Sequence, residues 1–204
     1  IGPATGVIVR DDDGEPTGVL KEDAQDLVDN VIPEPTEAED RASVADAIAR
    51  FHRDGITAVQ DAMGDLANFA FFARLADEGA LPLRVRTALD LSHGIDFAEW
   101  QDRLDAYEEA SFPRRGGAFL SGGILKAFAD GVIEARTAAM LAPYADDAST
   151  GLPNWDAETL NRHVAEADRR GWQVETHAIG DRGVRMVLDA YEQAARANGP
   201  WAGD

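Results

Sequence analysis

The residues best suited to chemistry are a histidine and a lysine that each lie in an apolar, strand-like stretch. His177 belongs to the run WQVETHAIGD, residues 172–181, which passes directly into a helical pattern. The alternation predicts a β-strand with Glu175 and His177 on one face and the imidazole at its C-terminal end, where α/β folds place their active sites. The sequence leaves two roles open for His177, a metal ligand and a hydrogen-bonded structural group.

Lys126 lies inside a second such run, LSGGILKAFADG, residues 120–131. A buried ammonium group must be paired, neutral or chemically modified, because burying it alone is costly. A neutral lysine amine can add CO2 to give a carbamate, whose two oxygens can bridge two cations. The alternative is that Lys126 reaches solvent or pairs with Asp130. Lys21 is the only other lysine among the 19 cationic residues, which gives Lys126 added weight.

The composition is that of a globular, acidic protein. Of its 204 residues, 45% are hydrophobic and 28% charged, and the absence of cysteine restricts metal ligands to histidine, carboxylate or modified lysine. The net charge of −19 argues against nucleic acid and anionic membranes as partners. Such a lysine-poor surface is typical of proteins adapted to high salt, or of ordinary acidic proteins from GC-rich genomes. No run approaches the roughly 20 apolar residues that span a bilayer, so we expect a soluble, cytoplasmic protein.

Helix and strand patterns alternate regularly from Thr36 onward. Four strand patterns, each followed by a helical one, lie at about residues 56–61, 83–91, 120–131 and 172–177. This alternation predicts βα units with a parallel sheet, and four such units correspond to half of a (β/α)8 barrel. Asp13-Gly14 between two apolar runs is a hairpin signal. We therefore predict an N-terminal hairpin-like appendage at residues 1–35 and a partial barrel at residues 36–204.

Five motifs resemble the YtcJ-like branch of the amidohydrolase superfamily. In chain order they are GITAVQD (55–61), LKAFADG (125–131), RTAAM (136–140), PY (143–144) and HAIGD (177–181). The resemblance covers nearly the whole chain, and KAFADG and HAIGD are its most specific parts. It implies a TIM-type barrel with a metal centre, whose ligands are a His-x-His pair on strand one, an often carboxylated lysine on strand four, histidines on strands five and six, and an aspartate on strand eight.

Two of these ligands carry over, Lys126 as the strand-four bridge and His177 as the strand-five ligand. The others, including the aspartate that acts as proton shuttle, have no counterpart, so we interpret the chain as a fragment with about strands two to five. The resemblance implies hydrolysis of amide-like, non-peptide C–N bonds in a small-molecule substrate by metal-activated water, with one or two divalent ions, above all zinc. Because two ligands cannot hold a catalytic zinc, we expect the fragment alone to lack metal and to be inactive. The alternative is a non-catalytic or regulatory protein that retains this scaffold.

A long segment without helix or strand pattern, residues 132–155, follows the Lys126 strand. Loops of this length usually serve as lids or binding loops, so we expect it to lie over the strand ends. The substrate-pocket candidates are Asp61, Asp130, Arg136, Thr137 and Tyr144. An ion pair between Arg136 and Asp130 that only holds the loop is equally compatible with the sequence.

Two further expectations concern the surface. His52 and His163 fall within helical patterns and are expected to be exposed, while His93 follows the second of the four strands as a weaker ligand candidate. A half barrel leaves two sheet edges unpaired, and such edges promote association. We therefore expect a homo-oligomer or a strand-exchanged assembly.

Overall fold

The computed structural model describes residues 7–21, 24–91, 93–114, 116–146 and 148–199. The chain divides by packing into two compact units, residues 1–50 and 51–204. Because this division falls inside a helix, it does not test the predicted domain boundary after residue 35, which stays a prediction. No helix of the described ranges is both long and apolar enough to cross a membrane.

The first unit opens with the predicted hairpin. Strands β1 (Val7–Arg10) and β2 (Pro16–Lys21) pair antiparallel, and a short helix, α1 (Asp26–Asp29), follows them. Helix α2 (Glu37–Arg53) begins with a capping box: Glu39 N–H donates to Thr36 Oγ1 (3.3 Å), and Thr36 N–H donates to the Glu39 carboxylate (2.8 Å). These hydrogen bonds lower the pKa of Glu39.

The second unit is an α/β layer with one parallel sheet, as predicted. Its strands are β3 (Ala58–Gly64), β4 (Arg84–Asp90), β5 (Leu120–Phe128) and β6 (Gln173–His177), paired in chain order. Its helices are α3 (Leu66–Asp77), α4 (Phe97–Ser111), α5 (Ala157–Arg169) and α6 (Asp181–Asn198), and a 3-10 turn at Phe112–Arg114 follows α4. The strand predicted to end at Asp61 continues to Gly64. The described part of the segment between β5 and α5 contains no helix or strand.

Helices α3, α4 and α5 each begin with an aspartate cap. The side chains of Asp65, Asp96 and Asp156 each accept the backbone N–H three residues ahead. Helix α6 differs, because its N-cap is Gly180 and has no side-chain cap of its own. Asp181 lies in the first turn of α6 and accepts the Leu141 N–H (2.7 Å).

The prediction that His163 is exposed was wrong, whereas His52 is exposed as expected. His163 is 1% exposed and lies in the buried stripe of α5 with Leu160 and Val164. Its ring packs edge-on against aromatic rings from α4 and from the segment before α5, at centroid distances of 5.1 Å for Phe97, 4.6 Å for Trp100 and 5.1 Å for Trp155. The ring Nδ1–H donates to the Thr159 carbonyl (2.7 Å), while buried Nε2 has no partner among the described residues.

This burial predicts acid-sensitive stability. Desolvation lowers the pKa of His163, and this effect outweighs the hydrogen bond to the Thr159 carbonyl, which raises it; the charge of Arg162 lowers it slightly further, and that of Asp156 raises it slightly. The unfolded chain, with a histidine pKa near 6.5, therefore takes up the proton first, and stability is lost as pH falls below about 6.5. We expect the free energy of unfolding to drop by up to about 1.4 kcal/mol more per pH unit in the parent chain than in a His163→Leu variant. Urea unfolding between pH 7.5 and 5.5 measures this difference, and equal pH dependence in both proteins would contradict it.

Candidate metal centre

Lys126 and His177 lie on one face of neighbouring parallel strands. In the β5–β6 register, Lys126 is opposite Glu175 and Phe128 is opposite His177. Side chains alternate along a strand, so these four residues share one face. The Phe128 ring lies 5.4 Å from the His177 ring and 5.5 Å from Lys126 Nζ, so it contacts both candidates. The structure thus brings both residues to one end of the sheet, and their role as ligands stays a prediction.

The hydrogen bonds of His177 determine which ring nitrogen is available. Nε2 lies 3.1 Å from the Gly131 carbonyl oxygen. A carbonyl can only accept, so Nε2 carries a hydrogen, and in the neutral imidazole the lone pair is then on Nδ1. Metal-binding histidines usually donate their second ring N–H to a carbonyl or carboxylate in this way. The His177 carbonyl also accepts the Ala129 N–H (2.8 Å), so both its backbone and its ring are held by residues just after β5.

Lys126 has a carboxylate neighbour on β6. Its Nζ lies 3.9 Å from Glu175 Oε1, and the two side chains are 17% and 25% exposed. Oε1 is buried and has no hydrogen-bond partner among the described residues. The pairing with Asp130 considered from the sequence is therefore wrong, because the partner comes from the neighbouring strand by register.

Polar side chains also connect strands that are not neighbours in the sheet. Gln60 of β3 donates to the second Glu175 oxygen, although β3 and β6 are the two outer strands. Arg86 of β4 donates to Gln173 of β6 (2.7 Å), across β5. The sheet must therefore curl toward this face, and the candidate site lies on its concave, polar side.

Asp130 faces backbone groups and is 1% exposed. Its Oδ1 accepts the Ile179 N–H (2.9 Å), and its Oδ2 accepts those of Gly180 (2.8 Å) and Ala139 (2.7 Å). These contacts connect the end of β5, the long loop and the segment after His177. The proposed ion pair with Arg136 is also wrong, because Arg136 pairs with Asp146 (Nη2–Oδ2 2.7 Å) and thereby lowers the pKa of that carboxyl.

The remaining pocket candidates in the loop hold its own turns. The Arg136 guanidinium lies 5.7 Å from the Tyr144 ring, and the Tyr144 hydroxyl donates to the Ala138 carbonyl (2.8 Å). Thr137 Oγ1 accepts the Val132 N–H (2.9 Å). The carbonyl of Thr137 accepts the N–H of Gly131, whose own carbonyl binds His177. Their assignment to a substrate pocket stays a prediction.

Asp61 lies within β3, opposite Thr87 of β4. Its Oδ1 accepts the Met63 N–H (3.4 Å), and its assignment to the pocket is likewise untested. His93 is exposed after β4, with its ring 6.0 Å from that of Trp155. The residues described by the structure contain no cluster of three or more His, Cys, Asp or Glu side chains that could hold a metal ion. Lys126 and His177 thus form at most part of a metal site.

A cavity of about 200 Å³ lies at the other end of β6. Its lining includes Trp172 and Gln173, at the start of the strand, with Val164 of α5 and Tyr191 of α6. It therefore does not adjoin His177.

The sequence reasoning missed two contacts of the site. The strand period places Glu175 on the face of His177, but only the β5–β6 register makes it the neighbour of Lys126. The Gly131 carbonyl carries no side-chain signal, and its contact with His177 depends on the path of the chain after β5.

Comparisons with known proteins agree with this arrangement. A family model described as "Amidohydrolase family" matches residues 2–202. YtcJ of Bacillus subtilis (strain 168), named as an amidohydrolase, is 34% identical over 97% of this chain and 36% of its own length. The N-substituted formamide deformylase of Arthrobacter pascens is 27% identical over 95% of the chain and 36% of its own length.

A solved structure is similar as well. It is an uncharacterized metal-dependent hydrolase from Pyrococcus horikoshii OT3, with a TM-score of 0.67 and 26% identity over 92% of this chain and 38% of that one. The chain spans 34% to 41% of the lengths of the curated relatives it matches. The match over residues 2–202, together with the KAFADG and HAIGD motifs on neighbouring strands, shows that this chain belongs to the amidohydrolase family, in its YtcJ-like branch.

Proposed function

We propose that the chain is the central part of a metal-dependent hydrolase that cleaves amide-like, non-peptide C–N bonds of a small-molecule substrate. The observation that carries this proposal is the placement of Lys126 and His177 on one face of neighbouring parallel strands, with the imidazole Nε2 hydrogen-bonded to the Gly131 carbonyl. The deformylase relative, by its name, acts on N-substituted formamides, which contain such a C–N bond.

The proposal includes an arc of a (β/α)8 barrel. Four parallel strands in chain order, with contacts between the outer strands β3 and β6 across a curled face, are compatible with such an arc. The remaining strands and ligands would lie in the full-length protein outside these 204 residues. The aspartate expected as general base would lie there too.

The residues present fit part of a divalent metal site, with zinc as the proposed ion. His177 would bind through Nδ1, and Lys126 would bind as a carbamate formed on its Nζ. A metal bound there lowers the pKa of a coordinated water toward neutrality and polarises a carbonyl. The chain's own contribution is to orient the imidazole through Gly131 and to place Lys126 on the same concave face.

A further proposal concerns the cellular location of the protein. We place the protein in the cytoplasm, and fractionation of expressing cells tests this.

The outer edges of β3 and β6 have no strand partner within the described ranges, and we propose that the isolated chain self-associates through them. A monomer at high concentration in sedimentation would contradict self-association.

Metal analysis of the full-length protein tests the proposed function. We expect one or two equivalents of zinc per chain, hydrolysis of simple N-substituted amides, and loss of both after chelation with recovery on adding zinc. A His177→Ala variant should retain less than one equivalent, because the site loses an imidazole ligand. His52→Ala, at an exposed position of α2, is the control. Equal zinc content in the two variants would exclude His177 as a ligand.

A further inference from the structure

Asp130, which follows strand β5, caps the start of helix α6. The first N–H groups of a helix have no partners within the helix, and α3, α4 and α5 satisfy one of theirs with their own aspartate caps. The N-cap of α6 is Gly180, which has no side chain to do so. Asp130, two residues beyond β5, accepts the N–H groups of Gly180 and of Ile179 before it. Its negative charge at this end also suits the helix dipole.

One hydrogen-bonded cluster, called the lock below, joins Asp130, Ala139 of the long loop and the first turn of α6. Ala139 donates its N–H to Asp130, and its carbonyl accepts the N–H groups of Arg182 (3.0 Å) and Gly183 (3.2 Å) in the first turn of α6. There is no spare room, because a Cβ on Gly183 would lie 2.5 Å from Asp130 Oδ2. The carboxylate therefore has one position relative to the helix.

This lock adjoins His177 from two directions. On the β5 side, the residues flanking Asp130 hold the histidine: Ala129 N–H donates to the His177 carbonyl, and the Gly131 carbonyl accepts from Nε2. On the β6 side, the segment that Asp130 caps begins two residues after His177. The distance between the Gly131 carbonyl and the imidazole thus depends on the position of Asp130 and on the hydrogen bonds that it accepts.

We propose that Asp130 is a positioning residue for His177. By fixing the start of α6 against the end of β5, it maintains the hydrogen bond from Nε2 to Gly131 and so leaves Nδ1 as the ring nitrogen that can serve as a ligand. This inference rests on the proposed function for its consequence in metal binding. The effect on the imidazole tautomer can be measured without any metal.

The first test is the tautomer of His177 in the 204-residue chain. The chain has four histidines, so labelling with 15N-histidine and long-range 1H–15N correlation resolves their ring nitrogens. His163 is an internal reference, because its Nδ1 carries the hydrogen whereas in His177 it is Nε2. In Asp130→Asn the side-chain NH2 group replaces one acceptor oxygen and faces backbone N–H donors. The start of α6 should then shift, the hydrogen bond from Nε2 to Gly131 should weaken, and His177 should become a mixture of tautomers. Asp156→Asn, the same change at the cap of α5, should leave it unchanged.

The second test is zinc affinity in the full-length protein, measured by competition with a chromophoric chelator. Loss of a group that orients a metal-binding histidine typically weakens affinity by about 10–100-fold, which we expect for Asp130→Asn, against about twofold or less for Asp156→Asn. If Asp130→Asn does not fold, Gly183→Ala displaces the carboxylate without removing it and should give the same two changes. A single Nε2–H tautomer in either folded variant would overturn the inference. Absence of zinc binding by the parent protein would overturn the proposed function instead, since the tautomer result stands independently.

Discussion

Replacing Lys126 with methionine in the full-length protein is expected to lower kcat/KM for amide hydrolysis by at least about 10³-fold. The variant cannot form a carbamate, so the proposed centre would lack Lys126 as a ligand. A catalytic metal lowers the pKa of bound water to about 7, so weakening the metal centre would sharply reduce the amount of nucleophile present at neutral pH. The measurement is steady-state kinetics combined with metal content per chain.

A stability control separates ligand loss from misfolding. In the metal-free 204-residue chain, methionine removes the Nζ that lies 3.9 Å from the buried Oε1 of Glu175, which we expect to cost about 1–3 kcal/mol. Adding Glu175→Gln removes that unpaired charge and should recover most of the stability without recovering activity. Glu175→Gln alone retains Lys126 and serves as the matched control. A Lys126→Met variant with wild-type metal content and kcat/KM within about tenfold of the parent would exclude Lys126 from the centre.

The local parts of the fold could be predicted because short-range patterns determine them. The strand period placed His177 at the end of β6, and Asp13-Gly14 marked the turn between β1 and β2. Helical spacing could also have indicated the burial of His163, which follows Leu160 by three residues on the stripe that faces the core. The polarity of the His163 side chain favours an exposed position, but its place on the apolar stripe of α5 determines its burial.

The partners within the site could not be predicted, since they depend on register and curvature. Asp130 is four residues from Lys126, whereas Glu175 becomes its neighbour only through the β5–β6 register. The contact between Gln60 and Glu175 needs a sheet curled enough to bring its outer strands together. The pairing of Arg136 with Asp146 lies in a segment with no periodic pattern.

Replacing Gly180 with alanine is expected to cost more than about 4 kcal/mol of folding free energy, because overlap with backbone atoms is among the few changes that destabilise so strongly. Backbone strain is not the cause, since its φ of −72° and ψ of 150° suit alanine. The added Cβ would lie 1.9 Å from the Ala139 carbonyl oxygen and 2.4 Å from its carbon. Ala139 cannot retreat without breaking its bonds to Asp130 and to the first turn of α6.

Urea unfolding of the chain, followed by circular dichroism, measures this loss. Gly116→Ala is the control, because a Cβ there meets no atom within 4 Å and its φ is not positive, so its effect should stay within about 0.5 kcal/mol. Since the overlap falls on the lock that holds His177, any folded Gly180→Ala protein should also lose the single tautomer of that imidazole. Similar stability of the two alanine variants would show that the segment 138–141 is not packed against α6, and the positioning of His177 by Asp130 would then lack its structural basis.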